Sequence, residues 1–161
     1  MDVVYLDLDG VLHPSSVWYE PTTRQPHLRA PGHELFESLP AFEAAIAPYK
    51  EIKVVLSTDW VFRFGYARTR DILPHTLRSR VIGATYDPTD PDAWRFPRLM
   101  RYDAIAKDAR RRRPRWLAVD DDALGWPESE LDALVFVPGR LGLACPDAQA
   151  RLHAALAARF S

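Results

Sequence analysis

The chain has 161 residues, of which 47% are hydrophobic and 27% are charged, a composition that excludes a disordered or collagen-like protein. This length is sufficient for one domain with a sizeable core, and we expect a single domain over residues 1–161. Lysine and arginine total 21 against 22 for aspartate and glutamate, so the net charge of −1 excludes a general electrostatic attraction to nucleic acid or to an anionic membrane.

The cysteine content and the N-terminal residues indicate the compartment. Cys145 is the single cysteine, so an intramolecular disulfide is impossible, and no cysteine and histidine cluster has zinc-ligand spacing. Met1 and Asp2 lead directly into a short apolar segment, without the basic region and cleavage site of a signal peptide. No uncharged apolar run is long enough to span a bilayer. We therefore expect a cytoplasmic protein with no membrane partner, and the sequence indicates no protein partner.

The first segment with a clear pattern runs from Val3 to Leu8 and predicts a buried strand that stops in a tight turn at Asp9-Gly10. Residues 13–33 carry four prolines and no periodicity, which predicts a long flap loop with a small hairpin around Val17 to Tyr19.

After the flap, helical and extended patterns alternate along the chain. We predict helices around Leu39 to Ile46, Tyr66 to Leu73, Arg101 to Arg112 and Asp147 to Phe160. Further strands are predicted at Ile52 to Leu56, Arg80 to Ile82, Trp116 to Val119 and Ala133 to Val137. This alternation predicts an α/β fold with a parallel sheet of about five strands and helices on both faces. In such a sheet, the chemistry lies beyond the carboxyl ends of the strands.

Polar residues follow three of these strands. The first strand ends at Asp7 and Asp9, and side-chain alternation in an extended strand would place both carboxylates on the same side. Two carboxylates near a buried strand end repel one another unless they share a cation or a proton. The alternative is a surface strand end with two solvated acids.

The segment Leu6 to Leu12 resembles the first motif of the haloacid dehalogenase (HAD) superfamily, and the resemblance implies a Rossmann-like HAD fold. It also implies that Asp7 attacks phosphorus to form an aspartyl-phosphate. Asp9 would act as general acid toward the leaving group and then as general base for water. The ion-pumping ATPases of the superfamily have threonine at this second position, so an aspartate there indicates hydrolysis.

The resemblance extends to the second and third motifs, which bind the phosphoryl group. Ser57 matches the hydroxyl residue at the end of the second strand, with Thr58 as the second candidate. A serine or threonine here is also typical of a helix N-cap. Arg101 is our candidate for the basic residue of the third motif and Arg98 the next, although arginine on a helix surface is common.

The fourth motif is the acidic pair Asp120-Asp121 after the fourth strand. The resemblance implies that Asp7, Asp9 through its backbone carbonyl, Asp120 and Asp121 bind Mg²⁺, which prefers such hard oxygen ligands. Which of Asp120, Asp121 and Asp122 binds the metal directly stays open. The alternative is a solvated loop or helix start.

A closer resemblance covers nearly the whole chain and points to a small branch without a cap domain, known from the phosphatase modules of RNA-repair proteins. It rests on Leu6 to Pro14, Val54 to Trp60, Val81 to Gly83, Val119 to Asp122 and Gly142-Leu143. We therefore expect a minimal cap or none beyond the flap at residues 13–33.

These patterns predict a Mg²⁺-dependent phosphomonoesterase that acts through an aspartyl-phosphate. Its substrate would be a nucleotide, a polynucleotide end or another large phosphorylated molecule. The alternatives are a phosphotransferase with the same intermediate and a catalytically silent binding or regulatory domain. Trp18 and Tyr19 of the flap are candidate substrate contacts. The basic run Arg110 to Arg113 either binds nucleic acid or complements a helix dipole.

Overall fold

A computed structural model describes all 161 residues of the chain. Its seven strands are, in chain order, β1 (Asp2–Leu6), β2 (Val17–Glu20), β3 (Gln25–Leu28), β4 (Lys53–Leu56), β5 (Val81–Ala84), β6 (Arg115–Asp120) and β7 (Leu134–Phe136). Five of them form a parallel sheet with the order β5-β4-β1-β6-β7, while β2 and β3 pair as a separate antiparallel hairpin. The predicted α/β class and five-stranded parallel sheet are confirmed.

The central strand is β1, which is hydrogen-bonded to β4 on one side and β6 on the other. From β1 the chain passes to β4 and β5 on one side and then crosses to β6 and β7 on the opposite side. The strand order therefore reverses between β1 and β6. A crevice outside the carboxyl ends of the strands at such a reversal is the usual ligand site of an open α/β sheet.

Helices cover both faces of the sheet. They are α1 (Leu39–Ile46), α2 (Asp59–Phe64), α3 (Tyr66–Ile72), α4 (His75–Arg78), α5 (Arg101–Arg112) and α6 (Pro146–Phe160). Short 3₁₀ helices occupy Ala93–Arg98, Glu128–Ala133 and Gly142–Ala144. None of the helices has the length and apolar character that crossing a bilayer requires.

Side-chain alternation in β1 explains how the two faces are filled. Val4 and Leu6 join the larger core, which includes residues of α1 and α6. Val3 and Tyr5 point to the other face and pack with Ile105 of α5 in a smaller cluster. Because a strand buried on both faces has no polar face, β1 reads as a continuous apolar run.

The structure departs from the sequence prediction near the site. Strand β1 ends at Leu6, so Asp7 and Asp9 lie beyond it and strand alternation does not set their directions. Helix α2 was not predicted as a separate element, because the sequence pattern placed no helix between Ser57 and Tyr66. Its N-cap is Thr58, and Gly65, with φ of 84°, ends it before α3 begins.

Candidate active site

Asp7 lies at the centre of the sheet's carboxyl edge. Its backbone N–H donates to the carbonyl of Val119 at 3.1 Å, which fixes the chain beside the end of β6. Its side chain is buried, and Oδ1 accepts a hydrogen bond from the backbone N–H of Leu8 at 2.9 Å. The residue that the sequence singled out as nucleophile therefore has a fixed orientation at the point where the strand order reverses.

Three aspartates meet at this edge. Asp7, Asp120 and Asp121 each place one carboxylate oxygen within 4.8 Å of the others. Two glycines make room for Asp121: a Cβ atom on Gly10 or on Gly139 would overlap its Oδ2. Gly10 also has a φ of 79°, a backbone conformation that residues with a side chain rarely adopt. The glycine that follows Asp9 in the sequence motif thus admits a carboxylate from another loop.

The third consecutive aspartate has a different environment. Asp122 is exposed, and its Oδ1 accepts a hydrogen bond from the backbone N–H of Leu124 at 2.9 Å. Asp122 is not part of the three-carboxylate cluster. The sequence left open which of the three consecutive aspartates would bind the metal. Asp120 is buried, Asp121 is half-buried, and both lie beside Asp7.

Arg101 is the basic residue beside this cluster. At the first position of α5, it places Nη2 3.6 Å from Oδ2 of Asp7 and Nε 3.0 Å from Oδ2 of Asp120. The second contact is short enough for an ion pair, but its atoms are not aligned as in a hydrogen bond. Neither atom therefore has a hydrogen-bond partner. Arg98, the other candidate, is exposed and forms no ion pair.

Burial dominates the electrostatics of the acidic cluster. It raises the pKa of Asp7 well above its usual value, with Arg101 opposing the shift and neighbouring carboxylates adding to it. Burial also raises the pKa of Asp120 to about 7 and that of Asp121 in the same direction. Three carboxylates, two of them buried, beside one guanidinium carry an excess of negative charge, which a divalent cation would neutralise.

The donor set fits Mg²⁺. Three carboxylates supply the hard oxygen ligands that this ion prefers, and Oδ2 of Asp120 is buried without a hydrogen-bond donor. The carboxylate of Asp9 is not part of this cluster. Asp9 would contribute through its backbone carbonyl, as the sequence resemblance implies.

Ser57 and Thr58 have different roles in the structure, although both are buried. The Oγ1 of Thr58 accepts the backbone N–H of Trp60 at 3.3 Å and so caps α2. The Oγ of Ser57 has no hydrogen-bond partner. A buried hydroxyl without a partner is rare in proteins and is explained when a ligand supplies one. Ser57 is therefore the better placed of the two to bind a phosphoryl oxygen.

The carboxylate of Asp9 is held by three side chains that the sequence patterns did not link to it. It accepts hydrogen bonds from the hydroxyl of Tyr19, from Nε1 of Trp60 at 3.0 Å and from Nε2 of His13 at 2.9 Å. The one available signal was chemical: His13 and Trp60 carry ring N–H groups and lie close in sequence to the first two motifs.

The flap at residues 13–33 contains the hairpin β2–β3, and its two aromatic residues face different surroundings. Tyr19 packs its ring against Phe64 at 5.7 Å between centroids, beneath the guanidinium of Arg63. Trp18 is 49% exposed, with the guanidinium of Arg29 over its ring. Of the two candidate substrate contacts, Trp18 is the more exposed.

The basic run Arg110 to Arg113 lies at the opposite edge of the sheet from this site. Helix α5 begins at Arg101 beside Asp7 and ends at Arg112, about 17 Å further along its axis. Within the run, Arg111 and Arg112 both pair with the buried carboxylate of Asp108. These arginines therefore cannot hold a phosphate that neighbours a reacting group at Asp7.

The pKa shifts predict how metal binding affects stability. In the folded, metal-free protein the pKa of Asp120 is about 7, against a usual 3.8. The protonated carboxyl group therefore stabilises the folded state, fully below pH 3.8, and this contribution is lost as pH rises through about 7. Mg²⁺ binds the ionised form. At about 100 times its dissociation constant at about pH 8, Mg²⁺ would add roughly 2.7 kcal/mol, or about 5–10 °C in Tm. At the same Mg²⁺ concentration we expect a smaller increase at about pH 5.5, because protonation of the carboxylates weakens metal binding.

Thermal unfolding with and without Mg²⁺ measures this effect, and two neighbouring substitutions provide the matched comparison. Asp121→Asn should reduce the Mg²⁺-dependent rise in Tm, because Asp121 lies in the cluster, whereas Asp122→Asn should leave it unchanged. Equal responses of the two variants would contradict the placement of the metal.

The chain matches, over residues 3–148, the model of a family described as the HAD domain in Swiss Army Knife RNA repair proteins. The chain belongs to this family. It is therefore a HAD-superfamily domain, as the sequence resemblance implied, and membership indicates chemistry of the phosphohydrolase type. No curated protein and no solved structure is similar enough to the chain to count as a match.

Proposed function

We propose that this HAD domain is a Mg²⁺-dependent phosphomonoesterase with Asp7 as the nucleophile. The observation that carries the proposal is the position of Asp7 just beyond the central strand, with carboxylate oxygens of Asp120 and Asp121 within 4.8 Å and Arg101 at 3.6 Å. A phosphomonoester needs an in-line nucleophile, positive charge around its equatorial oxygens and a proton for the leaving group. Residues suited to each of these tasks converge at this edge of the sheet.

In the first step, a carboxylate oxygen of Asp7 would attack phosphorus while the bond between phosphorus and the ester oxygen breaks. Arg101 and the free hydroxyl of Ser57 would bind the equatorial oxygens, where negative charge is concentrated. Asp9 would donate its proton to the leaving oxygen, which departs as a neutral alcohol. The phosphoryl group is then covalently bound to Asp7.

In the second step, a water molecule would attack the phosphorus of the aspartyl-phosphate, and Asp9 would take up one of its protons. The bond between phosphorus and Asp7 breaks, which releases inorganic phosphate and restores both carboxyl groups to their starting states. Asp7, Asp120, Asp121 and the carbonyl of Asp9 would hold Mg²⁺, which supplies charge neutralisation that lets an anionic phosphate approach an anionic nucleophile.

The surroundings of the site favour a large substrate. A cleft of about 220 Å³ opens beside Arg101, lined by Phe62 and Met100 among others. A second cleft, of about 600 Å³, lies between the flap and the loop at Gly139, and its lining includes Arg140. Together with the exposed ring of Trp18, these clefts leave room for a nucleotide or for the phosphorylated end of an oligonucleotide. The family's description, which names RNA repair proteins, supports the same substrate class.

The test is hydrolysis of p-nitrophenyl phosphate with Mg²⁺, followed by a panel of phosphorylated metabolites, nucleotides and 5′- and 3′-phosphorylated oligonucleotides. We expect activity to disappear on chelation and to return when Mg²⁺ is restored. A kcat/KM at least about tenfold higher for a phosphorylated oligonucleotide than for the mononucleotide would support the larger substrate, because remote contacts add binding energy. Activity that survives exhaustive chelation would contradict the proposed mechanism, and absence of hydrolysis across the panel would favour a silent binding domain.

A further inference from the structure

The three side chains around Asp9 come from three separate parts of the fold. His13 follows the turn after β1, Trp60 lies in the first turn of α2, and Tyr19 lies on β2 of the hairpin. Their polar atoms divide between the two oxygens of the carboxylate. His13 contacts Oδ1, Tyr19 contacts Oδ2, and Nε1 of Trp60 is 3.0 Å from each. Both oxygens of Asp9 therefore have a donor.

Two of these donors are fixed. His13 is fully buried, and its Nδ1 accepts the backbone N–H of Phe36 at 3.1 Å, so the neutral ring carries its proton on Nε2 and donates it to Asp9. The indole of Trp60 is also fully buried, is stacked on the His13 ring with centroids 5.8 Å apart, and has an N–H that can only donate. Neither ring can change its hydrogen-bonding role without leaving its packing.

Tyr19 differs from the other two because it belongs to the hairpin, outside the main sheet. The hairpin is attached to α2 by the Tyr19 ring and by a hydrogen bond from Arg24 to the carbonyl of Phe64. Burial, and then the charge of Asp9, raises the pKa of Tyr19, so the phenol stays protonated. A hydroxyl can donate to an ionised carboxylate and can also accept from a protonated one. Tyr19 is thus the one contact of Asp9 that can either donate or accept a hydrogen bond.

We propose that Tyr19, with Trp60 and His13, is a positioning residue for the Asp9 carboxyl group, and that docking of the hairpin β2–β3 completes this arrangement. The inference rests on the proposed function, in which Asp9 moves the proton. The flap then has a catalytic task in addition to any contact with the substrate.

Tyr19→Phe tests the inference because it keeps the ring that packs on Phe64 and removes only the hydroxyl. We expect kcat for an alkyl phosphate to fall on the order of tenfold with KM unchanged within about twofold, because proton transfer is impaired and binding is not. Single-turnover release of nitrophenolate from p-nitrophenyl phosphate should change less than about twofold, since that leaving group needs no proton.

Tyr49→Phe is the matched control: it removes a hydroxyl that makes no hydrogen bond, on a ring that packs against Phe160 away from the site. Trp60→Phe is a second test at the same carboxylate, and it should likewise slow hydrolysis of the alkyl phosphate more than the first step with the aryl phosphate. The two effects should be less than additive in the double variant, because both act on one group. Should Tyr19→Phe fail to fold, Trp60→Phe carries the test alone.

The outcomes separate this inference from the proposed function. If the unmodified protein hydrolyses no phosphomonoester, the proposed function fails. If it is active and the folded variants slow the first step equally for alkyl and aryl phosphates in single turnovers, or slow it for neither, the positioning role is overturned.

Discussion

Asp7→Asn is expected to reduce turnover of any phosphomonoester on the order of 10⁴-fold or more while the fold is retained. The amide is nearly isosteric with the carboxylate but is too weak a nucleophile to attack phosphorus. Without Mg²⁺, the variant should also be at least as thermally stable as the unmodified chain, because the substitution removes a carboxylate whose ionised form is disfavoured by burial and by the neighbouring carboxylates. Steady-state kinetics and a thermal unfolding curve measure the two effects.

Two controls make this result specific. Asp71→Asn introduces the same change at an exposed position on α3 and should leave both activity and Tm unaltered. Intact mass must show that the introduced amide has not deamidated, since a small fraction of restored aspartate would mimic residual activity. A folded, intact variant with the unmodified protein's rate would exclude Asp7 as the nucleophile.

Asp9→Asn is expected to produce the second largest loss, and the loss should depend on the leaving group. An alkyl phosphate needs a proton as its ester bond breaks, so its hydrolysis should slow by roughly 10²–10⁴-fold. Nitrophenolate leaves without a proton, and its release in a single turnover should slow by less than about tenfold. Steady-state turnover of the aryl phosphate should nevertheless fall, because the same residue activates water in the second step.

This combination predicts a burst for Asp9→Asn: about one nitrophenolate per protein molecule should be released quickly, followed by slow turnover. Rapid-mixing absorbance measurements would detect it, and the trapped phosphoprotein should carry its phosphate at Asp7. Equal losses for both leaving groups in the first step would contradict the general-acid role. The absence of a burst, with the first step intact, would contradict the general-base role.

The fold was predictable because its signals are local. The β-branched run before Asp7, the alternation of strands with helices and the prolines and glycines at element ends were sufficient for a five-stranded parallel sheet. Because parallel strands place their carboxyl ends at one edge, the sequence also predicted that Asp7, Ser57 and Asp120 would lie close together. Element bounds shifted by one or two residues, which matters at the end of β1, where the chain leaves the strand before Asp7.

Three decisions needed the tertiary structure, since each depends on which segment packs against which. Arg101 is the arginine beside Asp7, and Arg98 is not, because α5 begins at the sheet's carboxyl edge with the side chain of Arg101 turned inward. Asp121 joins the acidic cluster, and Asp122 does not, because the space left by the glycines at 10 and 139 is occupied by the carboxylate of Asp121.

The third decision concerns Asp9, whose partners His13, Tyr19 and Trp60 lie 4, 10 and 51 residues away along the chain. The sequence by itself predicted that Asp9 follows the first strand and that a flap with a small hairpin comes after it. No local pattern encodes a hydrogen bond between a hairpin outside the sheet and a strand end within it. That contact forms because the aromatic side chains of the hairpin and of α2 pack their rings together. The polar atoms of these rings then hydrogen-bond to one acceptor, the Asp9 carboxylate.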